Sequence, residues 1–240
     1  MIRGLYSAAS ALSAATLNQE LVAENLANVN VPGYRRSGLL FESLLPDSAK
    51  GTSPLSDSLS TVGSAKTFTN FEPGPIQHTG NPLDLALSSN VYFVLDGPSG
   101  PVYTRNGSFQ RGPQGDLQSV SGMPVRSSGG KITIPPDATQ VSVTKDGVVK
   151  ADENEIGRLQ LAEFTDPSGL QRVGSTLFDG PQGPAPAPGS FQVDQGYREG
   201  SNVKVVNEMV SMLTGMRFYE AAERAIRALG DVVGLSTKPQ

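Results

Sequence analysis

A narrow stripe opens the chain: Ile2, Leu5, Ala9, Leu12, Thr16, Gln19, Ala23 and Leu26 recur at alternating steps of three and four, the seam of a helix that pairs with another helix. Outside it lie Tyr6, Ala8, Ala15, Leu17, Leu21 and Val22, and the only charges among the first 24 residues are Arg3, Glu20 and Glu24. A helix with so little charged surface is buried on several sides, so it wants several neighbouring helices. The pattern stops at residues 25–36, NLANVNVPGYRR. Asn28 and Asn30 tolerate the left-handed conformation that ends helices, and Val31 before proline is pushed extended. Pro32-Gly33 suits the centre of a type II turn, with Gly33 at positive φ. On these residues alone the segment is either a built junction or an ordinary helix-loop boundary.

The other end carries a matching element. No proline occurs from Ser190 to Lys238, Ser201 can cap a helix, and Gly230 is a plausible left-handed stop after Leu229. Val205, Met209, Met212, Met216, Tyr219, Ala222, Ile226 and Leu229 form one stripe, which Val203, Val206, Val210 and Leu213 widen over its first half. The second half is polar outside, with i,i+4 pairs from Glu220 to Arg224 and from Glu223 to Arg227. A methionine stripe suits an internal core, or an assembly face that adapts to non-identical neighbours. Helices of this kind at both termini favour assembly.

Between them the period changes to two. After the Ser/Pro/Gly-rich stretch 46–66, read as a mobile loop, come VYFVL (91–95), PVYTR (101–105), DLQSV (116–120), KITI (131–134), VSVT (141–144), VVKA (148–151) and RLQLAEF (158–164), read as short strands. Asn106-Gly107, Asp146-Gly147, GPSG and GPQG mark turns. The fold class is α+β: an N-terminal helix (1–30), a connecting region (31–75), a mainly antiparallel β domain (76–180), a Pro/Gly-rich return segment (181–200) and a C-terminal helix (201–235), the two helices pairing as a coiled coil.

Composition removes several function classes. The 240 residues contain no cysteine, which excludes disulfides, thiolate nucleophiles and Cys-ligated zinc. A formal net charge of −4, with Arg35-Arg36 as the only adjacent basic pair, argues against nucleic acid. No apolar run approaches the ~18 residues that would span a bilayer. Arg3 followed by GLYSAASALSAA has the outline of a signal peptide, but serines interrupt it and the helical stripe runs through the supposed cleavage site. The single histidine, His78, lies in a turn-like stretch without a partner base or nucleophile, and Gly130-Lys131 lacks the rest of a phosphate loop. Asp152, Glu153 and Glu155 read as a solvated hairpin tip, and Asn106-Gly107-Ser108 as an NG turn. No catalytic residue, cofactor or metal is expected.

MIRGLYSAASALSAA with NLANVNVPGYRR at the start, TGNPLDLAL in the middle and EGSNVKVVNEMVSMLTGMRFYEAAERAI at the end resemble the flagellar basal-body rod and hook family over nearly the whole chain. Within that family the length, TKDGVVKADENEIGRLQLAEFTDP and EMVSMLTGMRFYE resemble proximal-rod members most, with distal-rod members next. Val31, where the family usually has threonine, and residues 216–219 depart from its commonest wording.

The resemblance implies a structural subunit exported unfolded by the flagellar type III apparatus and its chaperones without a cleaved signal. Such subunits polymerise in the periplasm with copies of themselves and other rod proteins, into a tube that transmits torque and encloses the export channel. The terminal helices would line the tube and the β domain would form its outer shell, with peptidoglycan nearby. Leu5, Leu12, Leu26, Val205, Met209, Met212, Met216, Tyr219 and Ile226 would form the assembly interface. Asn25, Asn28, Pro32, Gly33 and Tyr34 would form the junction where the chain leaves the inner wall, with Arg35 and Arg36 available to acidic groups of a neighbouring subunit. A hook-type subunit, an extracellular β-domain binding module outside the flagellum, and a wall-cleaving enzyme are the alternatives.

Overall fold

The computed structural model describes residues 2–41, 65–88, 90–181, 186 and 190–236. Most of the stretch 46–66 and of PQGPAPAPG (181–189), which opens the Pro/Gly-rich return segment, lies outside them. Contacts divide the chain into a helical unit (Met1–Ala27, Ser37–Asn70 and Lys204–Gln240) and a β unit (Asn28–Arg36 and Phe71–Val203).

The helical unit holds α1 (Ile2–Ala27), the antiparallel pair β1 (Ser37–Phe41) and β2 (Ala65–Thr69), and α2 (Val205–Ser236). The two helices pack on each other and run antiparallel. Asn25 bonds Glu208. Seven residues back on α1, Asn18 Nδ2 lies 3.6 Å from the Cβ position of Gly215, seven residues forward on α2.

The buried face of α1 is not the predicted seam. Ala15, Val22 and Asn25 are buried, whereas Ala9, Thr16 and Ala23 are exposed, and Leu12, Gln19 and Leu26 are half-buried. The face runs one residue earlier, a rotation of about 100°. Leu21 widens this face beside Val22, and Asn25 closes it with hydrogen bonds at the end of the helix.

α2 also departs from expectation at both ends. Ser201 Oγ accepts from the Val203 amide at 3.2 Å before the helix has begun, and the first turn closes from the Glu208 amide to the Lys204 carbonyl at 3.1 Å. The helix continues through Gly230, because a single interior glycine costs only about 1 kcal/mol and a long helix can carry it.

The β unit contains β3 (Ile76–His78), β4 (Leu85–Leu87), β5 (Val91–Gly97), β6 (Gly100–Thr104), β7 (Phe109–Arg111), β8 (Leu117–Ser119), β9 (Arg126–Ser127), β10 (Gly130–Lys131), β11 (Val141–Val143), β12 (Val148–Ala151), β13 (Asn154–Arg158), β14 (Leu161–Glu163), β15 (Gln171–Arg172), β16 (Leu177–Asp179), β17 (Val193–Gln195) and β18 (Tyr197–Glu199). All of its strand pairs are antiparallel. The central sheet has the order β14-β5-β6-β16-β15, and β11-β12-β13 form a second sheet.

Residues 91–95 are buried throughout because the central sheet is covered on both faces. Val91, Phe93 and Leu95 join a core with Leu85, Phe109, Leu117, Ile132 and Leu161. Tyr92 and Val94 join an aromatic core with Tyr103, Phe164, Leu170 and Phe178. RLQLAEF breaks at Leu159, which bridges to Ser127, and KITI contributes only Lys131 to a paired strand, with Thr133 bridging to Asp116.

GPSG and GPQG lie at the tips of the β5–β6 and β7–β8 hairpins, and Asp152-Glu153 at that of β12–β13, with Asp152 at φ 55°. Asn106-Gly107 is different. β6 and β7 do not pair, and glycine is required because a Cβ there would meet the Leu85 carbonyl oxygen at 1.7 Å.

Candidate functional site

The residues singled out by the sequence gather at two centres, one in each unit. In the helical unit the centre is Asn25. Its Oδ1 accepts from the Ser37 amide at 2.9 Å while its Nδ2 donates to the Ser37 carbonyl at 2.8 Å and to Glu208 Oε2 at 3.3 Å. One buried amide thus ties the end of α1, the start of β1 and the first turn of α2. Glu208 is itself 1% exposed.

The rest of α2 is largely open. Val206, Met209, Val210, Leu213, Met216 and Phe218 are exposed, Val206 by 72% and Leu213 by 61%. Val205 and Tyr219 are at the margin of exposure, and Met212 and Ile226 are half-buried. Met209 and Met216 therefore do not belong to the chain's own core. Leu5 lies in α1, with its side chain outside those described.

In the β unit the centre is the junction. The Val31 amide closes a turn onto the Asn28 carbonyl at 3.1 Å, and neither Asn28 nor Asn30 is left-handed. Pro32-Gly33 then forms the expected type II turn, with Gly33 at φ 70° and the Tyr34 amide 3.3 Å from the Val31 carbonyl. Gly33 has a second constraint: a Cβ would stand 2.3 Å from the Asn106 amide nitrogen. The turn rests directly on backbone.

Tyr34 and Arg35 point inward, being 0% and 1% exposed. Arg35 is not available to a neighbour's carboxylate, because its Nη2 lies 2.7 Å from Glu199 Oε1 inside the same unit. The other oxygen of Glu199 takes Arg105, with Nε at 2.8 Å and Nη2 at 2.7 Å. Arg105 reaches on to the carbonyls of Val91 and Leu87, which anchors the cluster to β5 and β4.

Glu199 also accepts from the Gly74 amide at 2.8 Å through Oε1, and from the Gly33 amide at 2.9 Å through its own carbonyl. Arg172 bonds the Arg35 carbonyl and lays its guanidinium 4.9 Å from the Tyr34 ring centroid. Arg36 is half-buried, and its amide donates to Asn202 Oδ1 at 2.7 Å. Burial holds the Arg105 guanidinium below its usual range despite the carboxylate beside it. Burial likewise pushes the Tyr92 phenol up, against the pull of Arg35 and Arg105.

Such a cluster is a structural joint. Two guanidinium groups share a single carboxylate, so removal of Glu199 would leave buried positive charge, at a cost of about 3–5 kcal/mol. Sequence reasoning missed Glu199, Asn202, Arg105, Glu208 and Gly215. Glu199 and Asn202 do stand in EGSNV, next to the predicted helix start, but pairing across more than 160 residues has no local signature. Among the described residues no group of His, Asp and Glu is placed to hold a metal ion, and no helix is long and apolar enough to cross a membrane.

Comparison with known proteins agrees with this architecture. Residues 5–35 match the family model described as flagella basal body rod protein. Residues 86–151 match the flagellar hook protein FlgE/F/G D1 domain, and 194–233 the flagellar basal body rod FlgEFG protein C-terminal. The chain is 31% identical to the flagellar basal-body rod protein FlgG of Borreliella burgdorferi, over 98% of each chain. It is 31% identical to the FlgF rod protein of Mesorhizobium japonicum, over 94% of this chain and 97% of that one. With FlgF of Caulobacter vibrioides the identity is 35%, over 87% and 86%. The two outer models meet at the junction, since the first ends at Arg35 and the last begins five residues before Glu199. The chain belongs to the flagellar basal-body rod protein family, a structural family and not one of enzymes.

Proposed function

We propose that this rod subunit is of the proximal type and polymerises, with copies of itself and other rod proteins, into the periplasmic tube that transmits torque and encloses the export channel. It reaches that place through the flagellar type III apparatus. The observation that carries the assembly reading is the apolar face of α2, open in the single chain from Val206 to Phe218. A face of this kind on a helix already paired on its other side is suited to further helices, and methionine adapts to neighbours that are not identical.

In the assembled tube α1 and α2 pair as a coiled coil on the inner wall, with Leu5, Leu12, Leu26, Val205, Met209, Met212, Met216, Tyr219 and Ile226 at the contacts between helices. Relatives with both rod names match over similar spans, so the proximal assignment rests on TKDGVVKADENEIGRLQLAEFTDP and EMVSMLTGMRFYE.

Complementation tests the reading. The wild-type chain should restore swimming to a strain lacking its own proximal-rod subunit. The double variant Met209→Asp, Met216→Asp should fail to do so while being exported and melting within about a degree or two of wild type, because both side chains are exposed in the monomer. Motility with the double variant would overturn the interface, and rescue only of a strain lacking the distal-rod subunit would overturn the subtype.

A further inference from the structure

We propose that Glu199 and Asn202 act together as a clamp, fastening to one another three stretches of the β unit that run on into the helical unit: 28–36, 71–74 and 197–203. Their bonds divide the work. Glu199 holds the first stretch through the Gly33 amide at 2.9 Å and the Arg35 guanidinium at 2.7 Å, and the second through the Gly74 amide at 2.8 Å. Asn202 repeats the pattern three residues later. Its Oδ1 takes the Arg36 amide at 2.7 Å, its Nδ2 donates to the Glu72 carbonyl at 2.9 Å, and its own amide lies 3.4 Å from the Tyr34 carbonyl.

Each of the two residues therefore bridges the same pair of stretches from the third. Arg105 fixes the clamp to the central sheet, since the guanidinium that binds Glu199 also binds the carbonyls ending β4 and starting β5. Close packing completes it: a Cβ on Gly74 would meet the Gly200 carbonyl oxygen at 2.0 Å. A load on any one exit from the β unit is shared by the other two. Glu199 and Asn202 are thus positioning residues for a subunit that must transmit torque, and this goes beyond the assembly reading because the clamp lies wholly inside one chain.

Amide hydrogen exchange in the dilute monomer tests cooperation directly. Asn202→Ala removes the bonds to Arg36 and Glu72 and touches none of those made by Glu199. If the stretches open as one body, exchange at Gly33, Gly74 and Arg36 should accelerate together by about tenfold or more, while Val94, Leu117 and Ile134 in the apolar cores keep their wild-type rates. Glu199→Gln should give the same pattern. Acceleration confined to Arg36 in Asn202→Ala would overturn the proposal. So would acceleration that includes the core amides, because the stretches would then open only with the whole unit. Asn202→Ala decides the matter even if Glu199→Gln fails to fold.

Discussion

Gly33 carries two separate constraints, and only one of them shows in the sequence. Pro-Gly announces a type II turn and a positive φ, which the structure has at 70°. The second is the Asn106 amide, 2.3 Å from where a Cβ would stand. The turn chemistry alone implies that Gly33→Val harms assembly more than the monomer. The packing moves that cost into the β unit itself. Gly33→Ala should lower the unfolding free energy of the monomer by about 2 kcal/mol or more, combining left-handed strain with a forced backbone shift. Gly122 is the matched control, at φ 83° with open space around it, and Gly122→Ala should cost only about 1 kcal/mol. Urea denaturation followed at the β unit separates the two. Equal losses would show that the contact with Asn106 is unimportant. Arg35 teaches the same lesson, because a paired Arg-Arg reads as exposed charge until Glu199 is found beside it.

Elements were legible where one rule governed them. The two terminal helices, the antiparallel strands and most of the turn pairs follow from periodicity and from Gly, Pro, Asn and Asp. The rotation of α1 did not follow, since its sequence offers a seam through Leu12 and Leu26 and a neighbouring one through Ala15, Val22 and Asn25. The choice falls to Asn25, whose amide satisfies both backbone groups of Ser37 and reaches Glu208. Asn25→Asp keeps the shape and replaces the donor by a charged oxygen facing a carbonyl and a carboxylate. The helical unit should lose about 3 kcal/mol or more, seen as an earlier fall of the far-ultraviolet helical signal on heating. The near-ultraviolet signal of Tyr92 and Tyr103, both in the β unit, should melt as in wild type. An unchanged helical transition would mean that the asparagine merely occupies a gap. Short strands such as β9, β10 and β15 escaped detection for another reason: two residues cannot display a period.

At the scale of the whole molecule, the two units differ in what each owns. The β unit contains both apolar cores, and the ion cluster around Glu199 is internal to it. The helical unit leaves Val206, Met209, Val210, Leu213 and Phe218 in water. Helices with an uncovered apolar face draw stability from partners rather than from propensity, so the units should not unfold together. Heating the dilute protein should give two transitions, with loss of helix first and loss of tyrosine packing second. Association acts on the folded helical unit alone and stabilises it by RT ln(1 + [L]/Kd), about 2.7 kcal/mol when the partner stands at a hundred times its dissociation constant. Raising the protein concentration should therefore move the first transition upward and leave the second in place. Met209→Asp with Met216→Asp should abolish that movement without lowering either transition in the dilute limit, since neither side chain is buried in the single chain. A single transition at all concentrations would show that the helical unit depends on the β unit for its stability. A first transition indifferent to concentration would show that the open face of α2 is not where copies of this chain meet.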